Sequence, residues 1–257
     1  MSTDRSTFIG IDPGDGRQPF TFAALDSERA ILALSHGPLD EVLAYAAGQP
    51  AALAAVNGPL DYNHGLMTQE DLRAGLDPAP KTGEWTGLRL AEYRLEVRKA
   101  PVTHTPARGH YCPKSIQHSI EAAKALQLVG YSTYTAGLST CGLLEVQSEV
   151  CFWSMLGGIA PFQAGTLEGR LQRQLVLHDE KLPLPDPMNF FEEVTHFKLL
   201  KGVLPTKDIY TQAELNALVC AYTAWLAANH PERVEVVDGL EEGQIWLALK
   251  KEDNPRN

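Results

Sequence analysis

The sequence predicts an α/β fold built on one mixed sheet, and three observations carry that prediction. The apolar run "FIGIDPGDG" stops on Asp12 and a Pro-Gly turn. A buried strand that ends this way sets its acid at the carboxyl edge of a sheet, where ligands bind. Two more strand-like runs follow at hairpin spacing, divided by "LDSERAI" with its Asp-Ser turn. A helical segment then leads into a second buried run, "AALAAVNGPL". Strand–helix–strand order of this kind favours a parallel neighbour reached by a right-handed crossover.

Taken in order, the first three strands span Thr7–Asp12, Pro19–Leu25 and Arg29–Ser35, an antiparallel meander. Pro38 to Gly48 reads as a helix, with Leu39, Val42, Leu43 and Ala46 at helical spacing. The apolar run ending at Asn57-Gly58-Pro59 is the fourth strand. From Asp61 to Cys112 glycine, proline and charge are dense, and this stretch is expected to be an insertion carrying one basic helix, "TGLRLAEYRLEVRK". "KSIQHSIEAAKALQLVG" is a clear helix ended by Gly130, and "GLLEV" is a fifth strand ending near Glu145. Helical stretches follow near Ser148–Leu156, Thr166–Asp179 and Pro187–Gly202. The best-marked helix runs from Thr211 to about Asn229, where Thr211 and Glu214 form a capping box ahead of an apolar stripe from Leu215 to Leu226. Two short strands, Val234–Val237 and Ile245–Leu249, close the fold, and only "EDNPRN" reads as a disordered tail. The expectation is one domain over residues 1–257, with antiparallel strands one to three, parallel strands one, four and five, helices on both faces and helical insertions.

Composition narrows the function classes. A chain of 257 residues with 44% hydrophobic content buries a substantial core. Its net charge of −10 counts against a broad basic nucleic-acid surface, though not against a local groove. No apolar stretch nears the roughly 20 residues that span a bilayer, and the start "MSTDRST" lacks a signal-peptide layout. A cytoplasmic location without membrane association is therefore expected. Cys112, Cys141, Cys151 and Cys220 show no CxxC spacing and read as reduced thiols. His110, Cys112 and His118 match no zinc-finger pattern.

Candidate chemistry gathers at strand ends. Asp12 ends the first strand, Asn57 the fourth and Glu145 the fifth, while Asn216 lies in the second turn of the last long helix beside its apolar stripe. With strands one, four and five as parallel neighbours, the ribonuclease H fold collects such residues at one edge. There carboxylates hold divalent metals about 4 Å apart and hydrolyse phosphodiesters. The segments "FIGIDPG", "AALAAVNGPL", "RLAEYRLEVR", "LLEVQSE", "LEGRLQRQLVL", "LPDPMNFFEEVTHFKLLKG", "ELNALVCAYTAWLA" and "EEGQIWL" resemble, in order, a bacterial family of predicted nucleases with a ribonuclease H fold. The resemblance implies a ribonuclease H-like sheet and a Mg²⁺- or Mn²⁺-dependent nuclease. It further implies that Asp12 and Glu145 are metal ligands, with Asn57 and Asn216 where the family has aspartates. Two amides in place of acids remove two of four negative charges, so a weakened site is one expectation and an inactive binding protein on the same fold is the alternative. A nucleotide-binding phosphotransferase ranks behind both, because sugar kinases and actin-like ATPases of this sheet type carry two related domains.

Each residue also has a structural reading. Asp12 suits its own Pro-Gly turn, Asn57 a turn before Gly-Pro, and Asn216 a helix-flank amide. Asp15, Asp61, Glu241 and Glu242 are candidates to replace the missing charge. Glu192 and Glu193 read as structural partners of Arg170 and Arg173. Arg89, Arg94, Arg98 and Lys99 make the main basic cluster, in which Arg94 and Arg98 share a helix face and would flank a nucleic acid or a small phosphodiester. Oligomeric state is not legible.

Overall fold

In the computed structural model, which describes residues 6–80, 85–135 and 140–250, β1 (Thr7–Asp12) is an interior strand of the sheet. β2 (Phe20–Leu25) and β3 (Ile31–Gly37) extend from one side of it as an antiparallel meander. Asp26 makes the turn between them: its Oδ1 accepts the Glu28 and Ala30 N–H groups at 2.9 and 2.8 Å. β3 begins two residues later than the sequence suggests, after Arg29 adopts a positive φ of 66°.

Helix α1 (Leu39–Ala47) carries the chain over to β4 (Ala52–Asn57), which lies parallel to β1. A 3₁₀ turn at Leu66–Thr68, α2 (Glu70–Ala74) and α3 (Leu90–Val97) occupy the expected insertion, where Met67 of the turn joins Leu88, Leu90 and Tyr93 in a small apolar cluster. α3 is shorter than "TGLRLAEYRLEVRK", because Arg89 becomes its N-cap and Lys99 turns to positive φ. α4 (Lys114–Leu128) then leads through a two-residue strand, β5 (Ser132–Thr133), to β6 (Cys141–Val146), parallel to β4.

α5 (Ser148–Met155), α6 (Leu167–Asp179), α7 (Asn189–Glu193) and α8 (His196–Leu200) follow. The single helix expected over Pro187–Gly202 is broken in two. Val194 turns to extended backbone, and Thr195 Oγ1 accepts the Lys198 N–H at 3.2 Å to start a new helix. α9 (Gln212–Asn229) precedes an antiparallel pair, β7 (Val234–Asp238) and β8 (Gln244–Ala248). β8 adds to β6 in parallel, so the eight-stranded mixed sheet runs β3-β2-β1-β4-β6-β8-β7, with β5 against β6. The antiparallel meander and the parallel trio β1, β4 and β6 match the sequence reading. β7 and β8 fall where the two closing strands were expected; their addition to the sheet beside β6, and the short β5, are not in that reading. "EDNPRN" lies outside the described residues.

Two apolar layers sandwich the sheet. Ile9, Ile11, Ala54, Val56 and Leu143 pack with residues of α1 and α4 on one face. Phe8, Leu53, Ala55, Leu144 and Val146 pack with α5 and α9 on the other. α9 is buried all round from Leu215 to Ala227 rather than along one stripe, because it lies between the sheet and α5 and α6. Gly10 makes this contact: a Cβ there would stand 1.9 Å from the Ala217 carbonyl oxygen and 2.3 Å from the Ala221 nitrogen. Those are backbone atoms, so neither can swing aside. Gly10→Ala is expected to destabilise by about 1–3 kcal/mol through forced displacement of α9. A urea midpoint equal to the parent's would refute that contact. No helix among the described residues is long and apolar enough to cross a membrane.

Candidate functional site

The close approach at Gly10 is also what builds the site. Asp12 lies two residues on, on the same face of β1, and Asn216 immediately precedes Ala217 on α9. Asp12 is 7% exposed, and its Oδ1 accepts Nδ2 of Asn57 at 2.7 Å and Nδ2 of Asn216 at 3.4 Å. Asn57 arrives from the end of β4, whose Leu53 and Ala55 face the same layer. Its own Oδ1 accepts the Ser148 N–H at 2.9 Å, which fixes the orientation of the amide and ties the start of α5 to the group. Burial pushes the Asp12 carboxyl up to about 6, against the pull of the two amide hydrogen bonds, and nearby Asp15 pushes the same way.

Asp12, Asn57 and Asn216 line a cleft of about 660 Å³. The starts of α4, α5 and α9 reach its wall through Ser115, Glu149 and Gln212. Three of the four strand-end and helix candidates therefore come together. The fourth does not.

Glu145 points to the other side of the sheet. It pairs in register with Val56, which belongs to the α1–α4 layer, whereas its neighbours Leu144 and Val146 belong to the α9 layer. Its carboxylate is gripped by Arg89: Nη1 donates to Oε2 at 2.9 Å and Nη2 donates to Oε1, while Leu60 N–H adds a bond at 3.2 Å. The expected convergence of Glu145 with Asp12 is thus corrected, because period-two alternation turns the side chain away. Burial raises the Glu145 carboxyl against the pull of Arg89.

The acid that does line the cleft from this segment is Glu149, in the first turn of α5. Its Oε2 accepts from Nη2 of the buried Arg173 at 2.6 Å. Its Oε1 and the Oδ1 of Asn216 are buried without a hydrogen-bond partner. Sequence reasoning passed over Glu149. The available signal was an acid placed just inside a helix that opens at a strand's carboxyl edge.

Other expectations resolve differently. Arg94 Nη1 donates to the Asp238 carbonyl at 2.6 Å, and Arg98 makes a two-pronged pair with Glu235 at 2.5 and 2.9 Å, so both are tied to β7 rather than free for a polyanion. Glu192 and Glu193 are exposed, and Arg173 serves Glu149 instead. Of the substitute acids, Asp15 lines the cleft, whereas Glu242 accepts the His64, Leu66 and Leu90 N–H groups and anchors the insertion. Glu241 is exposed, and Asp61 sits near His64, Lys124 and Arg108. Cys151 and Cys220 are buried and all four thiols are free.

A divalent metal asks for several oxygen donors with negative charge. Here both amides turn their nitrogens toward Asp12, and the Asn57 oxygen is committed to Ser148. No group of three or more His, Cys, Asp or Glu side chains suited to a metal occurs among the described residues. The donor set does not fit a two-metal centre. Family models, curated proteins and solved structures were compared with the chain, and none matches it.

Proposed function

We propose that this protein is a ligand-binding protein built on a ribonuclease H-like sheet, whose strand-edge cleft holds a small polar molecule without two-metal hydrolysis. One observation carries the reading: Asp12 faces the cleft with two amide N–H donors on its Oδ1, while Glu145 is held on the opposite face by Arg89. The order β3-β2-β1-β4-β6 and its strand directions support the ribonuclease H-like assignment, although β5, β7 and β8 extend the sheet. The cleft's size also favours a small ligand, since pockets for such molecules span about 300–1,000 Å³.

A second reading, a phosphodiester hydrolase using a single cation, draws support from the unpaired oxygens of Asn216 and Glu149. Titration with Mn²⁺, followed by calorimetry and by cleavage of a generic oligonucleotide, separates the two. The expected result is no saturable Mn²⁺ binding below about 1 mM, a free energy near −4 kcal/mol, and no cleavage. Tight Mn²⁺ binding with cleavage that Asp12→Asn abolishes would establish the second reading instead.

A further inference from the structure

A row of polar side chains crosses the cleft, one from each of four neighbouring strands. Asp12 pairs in register with Thr21 on β2, and Thr21 with His36 on β3. On the other side Asn57 of β4 bonds Asp12 directly. Residues paired across antiparallel strands share a face, with Cβ atoms about 4.5–5.5 Å apart. All four line the cleft.

Two oxygens in this row are open. Both amide bonds to Asp12 fall on Oδ1. Its Oδ2 accepts no hydrogen bond among the described residues and, unlike Asn216 Oδ1, is not sealed from the cleft. Thr21 is 3% exposed, and its Oγ1 is in the same condition, without a partner among the described residues and not sealed. Each side chain is more than nine-tenths buried and leaves an oxygen facing the same space. A carboxylate oxygen so poorly hydrated calls for a donor.

The charges around the row point the same way. Burial raises the Asp12 carboxyl to about 6, and no Lys or Arg among the described residues lines the cleft to bring it down. Lys114 and His118 pack beside Gly16 and are not part of the lining. Arg173 is taken by Glu149 at 2.6 Å. His36 stands two strands from Asp12, about 10 Å away at the usual strand spacing, which is too far to pair with it. Asp15, also in the lining, adds negative charge.

We propose that the cleft takes a small primary amine as its ammonium cation, with Asp12 Oδ2 and Thr21 Oγ1 accepting two of its N–H groups. This rests on the ligand-binding reading above and names its ligand class. An ammonium suits the site better than a guanidinium, whose fork needs both carboxylate oxygens, because Oδ1 already holds two amides. It also suits the site better than a divalent metal, which asks for several anionic oxygens where the row offers one carboxylate oxygen and a hydroxyl.

Calorimetry on the full chain in the presence of a chelator tests the proposal, with 4-aminobutan-1-ol, its guanidino counterpart and butane-1,4-diol as probes. The amine is expected to bind at one site with a Kd of about 1 mM or tighter, at least about tenfold better than the diol and better than the guanidine. Asp12→Asn is expected to abolish amine binding while the variant stays folded in a thermal melt. Thr21→Val, which keeps the side chain's shape, is expected to weaken the amine at least about threefold. Asp15→Asn is the control for loose attraction to surface acids and should leave a one-site isotherm. Absence of amine binding up to about 10 mM, a diol that binds as well as the amine, or affinity unmoved by Asp12→Asn overturns the proposal. Any of these would leave the ligand-binding reading standing, which falls instead to Mn²⁺-dependent cleavage in the experiment above.

Discussion

Arg89→Met is expected to cost about 3–5 kcal/mol of folding stability, the penalty for leaving buried carboxylates without their counter-charge. Arg89 is 1% exposed. Its Nε donates to Glu92 at 2.8 Å, its Nη atoms clasp Glu145, and Nη1 also reaches the Glu242 carbonyl at 3.3 Å. Glu92 in turn accepts the N–H and hydroxyl of Thr105. One guanidinium thus joins β6, the start of α3, the loop at Thr105 and the turn before β8. Neither glutamate can reach water when it is removed. Lysine should not rescue, because a single ammonium cannot replace the planar fork. The loss should be larger at high pH than at low pH, because burial raises the Glu145 carboxyl and its protonation relieves the stranded charge. Arg94→Met is the control: its partner Asp238 is half-exposed, and exposed pairs contribute only about 0–1 kcal/mol. Urea unfolding of both variants decides the matter. A loss below about 1 kcal/mol for Arg89→Met would mean the network is not what holds the insertion to the sheet.

Asp12→Asn is expected to act in the opposite direction and stabilise the protein at pH 8 by up to about 3 kcal/mol, the equivalent of about two pKa units. The unfolded carboxyl titrates near 3.8 and the folded one near 6. Between those values the folded protein holds a proton that the unfolded chain has released. Stability from this group is therefore full below pH 3.8 and is lost as pH rises through 6. Asparagine keeps an oxygen for the Asn57 and Asn216 amides and removes the buried charge. The gain should fade as pH drops toward 4, which distinguishes charge burial from a packing effect. A variant less stable than its parent at pH 8 would show that the two amide bonds outweigh desolvation.

Much of this architecture is legible along the chain because it is locally encoded. Apolar runs and turn chemistry mark β1, β2 and β3, the capping box marks α9, and the acid and amide that end β1 and β4 stand out where apolar runs stop. Asn216 is legible as well, lying beside the buried face of a well-capped helix. The orientation of Glu145 is not. β6 is apolar on both faces, so its pattern contains no sign of which side receives the acid; register with β4 sets that. The same holds for Arg94, Arg98 and Arg89, which look alike on one basic helix. They part company because Arg89 meets Glu145 while the other two meet β7. Glu149 enters the cleft for a matching reason: the start of α5 is drawn there by the Asn57–Ser148 bond, between residues 91 positions apart. Periodicity reports how a residue sits within its own element. Partners distant in sequence are set by how elements stack, and that stacking turns on contacts such as Gly10 against α9 that leave no periodic trace.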